Sequence, residues 1–243
     1  MRELRVLPVR GLKEVAAGDD VAALIADAIE LAERDVVVVA QKIVSKAEGR
    51  VLRLAEIDPG EHARELAGDR EDARKLEAIL RESARLVRVR PPLIVAETRH
   101  GFICGSAGVD ASNAPEEGTV VLLPVDPDAS AARIRERLGE LAGVDVAVIV
   151  SDSFGRPWRM GTTDVAIGAA GLAVLRDLRG THDRRGYELR STQIAVADEL
   201  AGAAELVMGK ADGVPAAVIR GVDVRGEGRA RDLVNPEERD LFR

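Results

Sequence analysis

Apolar positions along this chain follow two periods, and the switches between them divide it into short elements. Residues 3–9 alternate weakly between polar and apolar and predict a first strand. Asp19-Asp20 open a helix whose apolar positions Val21, Leu24, Ile25, Ala28 and Leu31 keep helical spacing. Residues 36–40 are an unbroken apolar run, the pattern of a buried strand, and they lead into QKIVSKAEG at 41–49. Asp58-Pro59-Gly60-Glu61 predicts a helix start with Asp58 as N-cap, Pro59 at N1 and Glu61 at N3. A second helix is predicted over 71–87, ended by Pro91-Pro92. Residues 93–98 and 102–106 predict a hairpin turning at Arg99-His100-Gly101. The loop GSAGVDASNAPEEG follows, then the strand TVVLLP. Asp126-Pro127-Asp128 caps a helix running to about Leu141.

The stretch VDVAVIVSDSFGRPWRMG, residues 144–161, is the most informative. Residues 146–150 form a β-branched apolar run that stops at Ser151-Asp152-Ser153. A buried strand ending in a carboxylate flanked by hydroxyls is a common way to place a metal ligand at a sheet edge. Arg156, Trp158 and Arg159 then crowd the predicted exit loop. The chain has one Trp and three Phe, and this stretch holds the Trp and Phe154. Residues 165–174 are small and apolar and read as two strands or a bend. Residues 192–208 read as an Ala-rich helix and 214–220 as a last strand, followed by a charged tail. The segment 180–191 is the best candidate for a mobile loop. Strands and helices intermix without a clean βαβ repeat, which predicts an α+β or mixed α/β architecture.

With 243 residues, 46% of them hydrophobic, the chain is long enough for a substantial core. The net charge of −7 argues against coating DNA or RNA, which calls for a basic surface. No apolar stretch approaches the roughly 20 residues that span a bilayer, and MRELRVLPVRG has no apolar signal core. The expectation is a soluble cytoplasmic protein with no nucleic-acid or membrane partner. Cys104, the only cysteine, excludes an internal disulfide and a Cys-based zinc site and reads as a small buried hydrophobe. His62, His100 and His182 have no metal-ligand spacing. Basic charge is almost all arginine. Only Lys13, Lys42, Lys46, Lys75 and Lys210 are lysines; codon bias is the plain explanation, or else, where arginine is the default, a lysine marks a place needing a compact point charge.

Four stretches carry candidate chemistry. Asp110 and Asn113, in a loop after a strand, suit two oxygen ligands or a phosphate contact, or else a turn in which both bond their own backbone. Asp152 and Ser153 have the same ambiguity. Together, Asp110, Asp152 and Ser153 fit the hard-oxygen preference of Mg²⁺ or Mn²⁺. Lys46 suits a β- or γ-phosphate, or else is a solvated strand-end lysine. Residues 208–215 (MGKADGVP) suit backbone contacts to an anion, or else a helix C-cap. The chain has no GxxxxGK[ST], no GxGxxG after a strand, no GxSxG and no HExxH.

Taken together, PVRGL, VVVVAQKIVSKAEGR, GSAGVDASNAPEEG, LLPVDPDAS, VIVSDSFGRPWRMG, VADELAGAAELVMGKADGVPAAVIRG and the late GEG resemble the CofE family. These are GTP-dependent γ-glutamyl ligases that extend the deazaflavin coenzyme F420. The matching pieces lie in order over nearly the whole chain. The resemblance implies a mixed sheet-and-helix α+β fold of two subdomains, one ligase unit over residues 1–243, and an intertwined homodimer with the nucleotide in a groove at the interface. It implies transfer of a phosphoryl group from GTP to the terminal carboxylate of coenzyme F420-0. L-Glutamate then attacks the acyl phosphate, and a second round adds a γ-linked glutamate to F420-1. Mn²⁺ or Mg²⁺ is the implied cofactor, with K⁺ as an additional ion. Asp110, Asp152 and Ser153 would hold metal. Leu12, Lys13, Glu14, Val15, Gln41, Lys42, Lys46, Asn113, Met208, Gly209, Lys210, Ala211, Asp212, Gly213 and Val214 would contact the nucleotide, with Lys46 as the phosphate-facing cation. Residue type suggests Arg156 and Arg159 for anionic substrate groups, or else plain surface charge. No residue is assigned as a catalytic acid, base or nucleophile. Where the resemblance implies an acidic residue in the last loop, this chain has Lys210, with Asp212 two residues on. Some bacterial relatives carry a C-terminal flavin-dependent domain; the chain stops at Arg243, so that activity is not expected. The alternatives are a GTP-dependent ligase acting on a different small carboxylate and a non-catalytic nucleotide- or deazaflavin-binding protein.

Overall fold

The structure, a computed structural model, describes residues 3–69, 71–90 and 92–240. In chain order the strands are β1 (Arg5–Pro8), β2 (Val36–Ala40), β3 (Val51–Arg53), β4 (Ser83–Arg90), β5 (Leu93–Thr98), β6 (Ile103–Gly105), β7 (Thr119–Val121), β8 (Ala147–Arg156), β9 (Arg159–Ala170), β10 (Leu175–Asp177), β11 (Gln193–Ala195) and β12 (Ala216–Arg220). The α-helices are α1 (Val21–Ala28), α2 (Gln41–Ala47), α3 (Glu61–Ala67), α4 (Ala73–Glu82), α5 (Pro127–Ala142) and α6 (Val196–Met208).

A five-stranded sheet in the order β1-β12-β2-β8-β9 forms the centre. Only β2 and β8 pair in parallel, from Val36 opposite Ala147 to Ala40 opposite Ser151. Both strands are covered on both faces, which explains their unbroken apolar runs. Val37, Val39, Val148 and Val150 join one core with residues of α1, α2 and α5. Val36, Val38 and Ile149 join the opposite core with α6. A third core, within residues 57–122, gathers α3, α4 and β5 around Ile79, Ile94 and Leu122. The architecture is α+β, in agreement with the sequence pattern.

Local signals place the caps well. Asp20 accepts from Ala23 N at 3.0 Å to start α1, and Asp126 accepts from Ala129 N at 3.0 Å to start α5. Gly143, left-handed at φ 69°, ends α5. Helix α5 lies so close to β9 that a Cβ on Gly168 would collide with the Pro127 carbonyl oxygen.

Several boundaries differ from the pattern. Helix α3 is capped by Gly60, not Asp58; the Gly60 N–H is taken by the Glu77 carboxylate of α4, and Asp58 pairs with Arg64 at the surface. The second helix stops at Glu82, because residues 83–90 find a partner strand in β5, with Arg85 paired to Glu97 across the ladder. Pro91, expected to end that helix, lies outside the described residues. Leu31 lies past the end of α1. Residues 193–195 form β11 against β10 before α6 begins. Segment 180–191 holds no helix or strand but one β-bridge, His182 to Glu188.

The largest correction concerns residues 151–159. Strand β8 continues to Arg156 and turns back into β9 at Arg159, so Ser151-Asp152-Ser153 lie within a long hairpin and not at a strand's exit. The backbone bonds of this polar half are supplied by β9, which lets the strand outlast its apolar pattern. Trp158 lies at the hairpin tip with 82% of its surface exposed.

Candidate active site

The carboxyl ends of the parallel pair β2 and β8 point to one end of the sheet, where open α/β sheets place their ligands. The antiparallel neighbours bring further loops to that end: residues 9–15 after β1, and 209–215 before β12. The loop 105–115 closes the other side. Together they enclose a cleft of about 870 Å³.

Asp110, Asp152 and Ser153 all line this cleft. Asp110 accepts the Lys42 ammonium at 2.6 Å and the Ser112 N–H at 2.7 Å. Burial alone would raise its pKa, but these partners and the Ser112 hydroxyl hold it below the usual value. It therefore makes the local turn and also faces the cleft. Asp152 is the opposite case. Burial first, and then the negative charges of Asp164 and Asp110, push its carboxyl up to about 7, against relief from the Ser153 N–H and Lys42. A cation brought to such a carboxyl favours its ionised form. Among the described residues, no three His, Cys, Asp or Glu side chains are gathered as a ready-made metal site. The donor set here is two carboxylates and a hydroxyl, leaving the remaining positions of a Mg²⁺ or Mn²⁺ for phosphate and water.

All five lysines of the chain line this one cleft, and no arginine among the described residues does. Lys46 is 6% exposed on the last turn of α2 and pairs with Glu14, so it is not a solvated strand-end lysine. Lys13 pairs with Asp19 at 2.7 Å. Gln41 is 1% exposed; its Oε1 accepts from Ser45 at 2.9 Å, while its Nε2 is buried with no partner among the described residues. Gln41 lines the cleft, and a buried amide donor left unpaired at its wall is suited to an absent acceptor. Asn113 Nδ2 donates to the Lys210 carbonyl at 3.2 Å and ties two walls together.

Of the residues expected at the nucleotide, Leu12 to Val15, Gln41, Lys42, Lys46, Asn113, Met208 to Ala211, Gly213 and Val214 line the cleft. Asp212 does not: its carboxylate turns back over Gly209, where a Cβ would collide with it. Arg156 and Arg159 do not line it either. They flank the hairpin tip, where Arg156 donates to the Met160 carbonyl at 2.8 Å. Cys104 is buried within reach of the Asp152 charge, and burial pushes its thiol up to about 12, with that charge adding to it, so it is inert.

Sequence reasoning missed Asp164, Ser151, Lys75 and Glu205, which also line the cleft. The rarity of lysine was a readable signal for Lys75. Asp164, heading the apolar run DVAIGAA, was readable as a carboxylate drawn into a core.

The fold and cleft define an α+β protein that gathers lysines and an oxygen-rich floor at the ends of its parallel strands. Residues 11–221 match the family model for F420-0:gamma-glutamyl ligase. The chain is 49% identical to the coenzyme F420:L-glutamate ligase of Methanopyrus kandleri, over 99% of this chain and 98% of that one. It is 46% identical to the protein of that name from Methanothermobacter thermautotrophicus, over 99% of both chains. Identity to the Archaeoglobus fulgidus protein of that name is 43%, over 99% and 96%. The chain belongs to the F420-0:gamma-glutamyl ligase family. Among the described residues, no helix is long and apolar enough to cross a membrane.

Proposed function

We propose that this protein is a coenzyme F420:L-glutamate ligase that uses GTP, in coenzyme F420 biosynthesis. The observation that carries the chemistry is the lysine-lined cleft over Asp110, Asp152 and Ser153. Phosphoryl transfer needs cationic charge and orientation around a triphosphate more than a special nucleophile. In this reading, the γ-phosphoryl group passes to a carboxylate oxygen of F420-0 and GDP leaves. The glutamate nitrogen attacks the acyl carbon, phosphate leaves, and the nitrogen loses a proton to give the amide. A γ-linked glutamate follows in a second round.

Asp110, Asp152 and Ser153 would hold Mg²⁺ or Mn²⁺, which supplies charge neutralisation at the phosphates. Lys46 and Lys42 add fixed positive charge, Gln41 Nε2 offers a buried donor, and the loops at 12–15 and 208–214 shape the nucleotide's walls. We place Arg156 and Arg159 outside a single copy's cleft. The β8–β9 hairpin that carries them exposes Trp158 and Met160 (96% exposed), which supports a homodimer built around this arm.

The test is incubation with F420-0, GTP, Mn²⁺ and L-glutamate, followed by mass spectrometry. Glutamyl addition with stoichiometric GDP is the expected result. No addition, with GTP consumed only when another carboxylate is supplied, would reassign the substrate. No GTP turnover with any carboxylate would leave a binding protein.

A further inference from the structure

Asp164 of β9 lies opposite Ser153 of β8 in the ladder and is 4% exposed at the cleft floor. One carboxylate oxygen accepts the Ser153 hydroxyl at 2.6 Å, and the other accepts the Ser151 hydroxyl at 2.8 Å. The two serines, two residues apart on one strand, face the same side. Among the described residues, no Lys, Arg or His nitrogen lies within ion-pair distance of this carboxylate. A buried carboxylate without a cation is costly to keep, so two serine bonds alone are a weak reason for it.

A serine hydroxyl has one proton and two lone pairs, and in both of these bonds the hydroxyl donates and a carboxylate oxygen accepts. Both serine protons are thus committed to Asp164, and the Ser153 lone pairs are left to the cleft. We infer that Asp164 is a positioning residue that orients the Ser153 hydroxyl as a lone-pair ligand for the cation. The inference rests on the proposed cation site of Asp110, Asp152 and Ser153. Asparagine at 164 keeps the shape but carries an NH₂ that donates into one serine oxygen, blocking that lone pair and turning the hydroxyl proton toward the cleft.

The test is Mn²⁺ binding in the presence of GTP, read from the free-ion EPR signal, beside thermal melts. Asp164→Asn should weaken Mn²⁺ about 10–100-fold, the usual effect of losing an outer partner of a ligand, without lowering the melting temperature. Ser153→Ala should weaken it similarly, and the double variant should be no weaker than Ser153→Ala, because Asp164 acts through that hydroxyl. Asp164→Ser, also lacking the carboxylate, should lose affinity too and stands in if the Asn variant does not fold. Wild-type affinity in the folded 164 variants overturns the inference. So does a further loss in the double variant, which would mean that Asp164 acts by charge alone. If the wild-type protein itself binds no Mn²⁺, the cation site fails, and the inference with it.

Discussion

Asp152→Asn removes a carboxyl whose ionisation the fold opposes. Well below the usual carboxylate value of 3.8 the group is neutral in both the folded and the unfolded chain and makes no difference. Above the usual carboxylate value of 3.8, the unfolded chain ionises while the folded one keeps its proton up to about pH 7. The folded state therefore binds the extra proton, and stability falls as pH rises through that window. At about 1.4 kcal/mol per tenfold change in proton concentration, this amounts to about 2–3 kcal/mol between pH 5 and pH 8. That figure is an upper one, since the residue is partly open to the cleft. For a chain of this size it corresponds to about 5–10 °C in melting temperature. The assay is circular-dichroism melts of both proteins in EDTA from pH 5 to pH 8. The wild-type melting temperature should drop relative to the variant as pH rises. Mn²⁺ with GTP at pH 8 should restore the wild-type protein more than the variant. Parallel pH profiles for the two proteins would refute the placement of Asp152 in a burying, like-charged site.

Lys46→Ala should weaken GTP by about 10–100-fold, the worth of one hydrogen bond to a charged group, as read by calorimetry; unchanged affinity would remove Lys46 from the phosphates. Gly168→Ala should destabilise by about 1–3 kcal/mol or more, because the new methyl meets the Pro127 carbonyl, while Gly155→Ala, with nothing within 4 Å, serves as the control in the same melts. If the hairpin tip is covered in a dimer, Trp158 emission should shift to the red on dilution, in step with dissociation seen by sedimentation. A constant spectrum across that transition would place the interface elsewhere.

Much of the fold was legible because it is written locally. The continuous apolar runs at 36–40 and 146–150 reflect strands buried on both faces, and the Asp-Pro at 126–127 is a cap whose partners lie within one turn. Where the reading slipped, a distant partner had intervened. The helical reading runs on through residues 83–87, yet β5 offers residues 83–90 a ladder. The polar run at 151–156 looks like an exit, yet β9 carries the strand onward and turns the supposed loop into a hairpin tip.

The sequence by itself determined the chemistry available: scarce lysines, oxygen-bearing residues at 110 and 152–153, and no cysteine or histidine metal set. It left open which of these groups share a space, because Asp110, Asp152 and Lys42 are far apart along the chain. Only the tertiary structure decided that. The parallel register of β2 with β8 brings their carboxyl ends level, the antiparallel neighbours deliver two more loops to the same end, and the hairpin folds Asp164 against Ser153. Long-range backbone pairing sets these meetings, and no local periodicity encodes it.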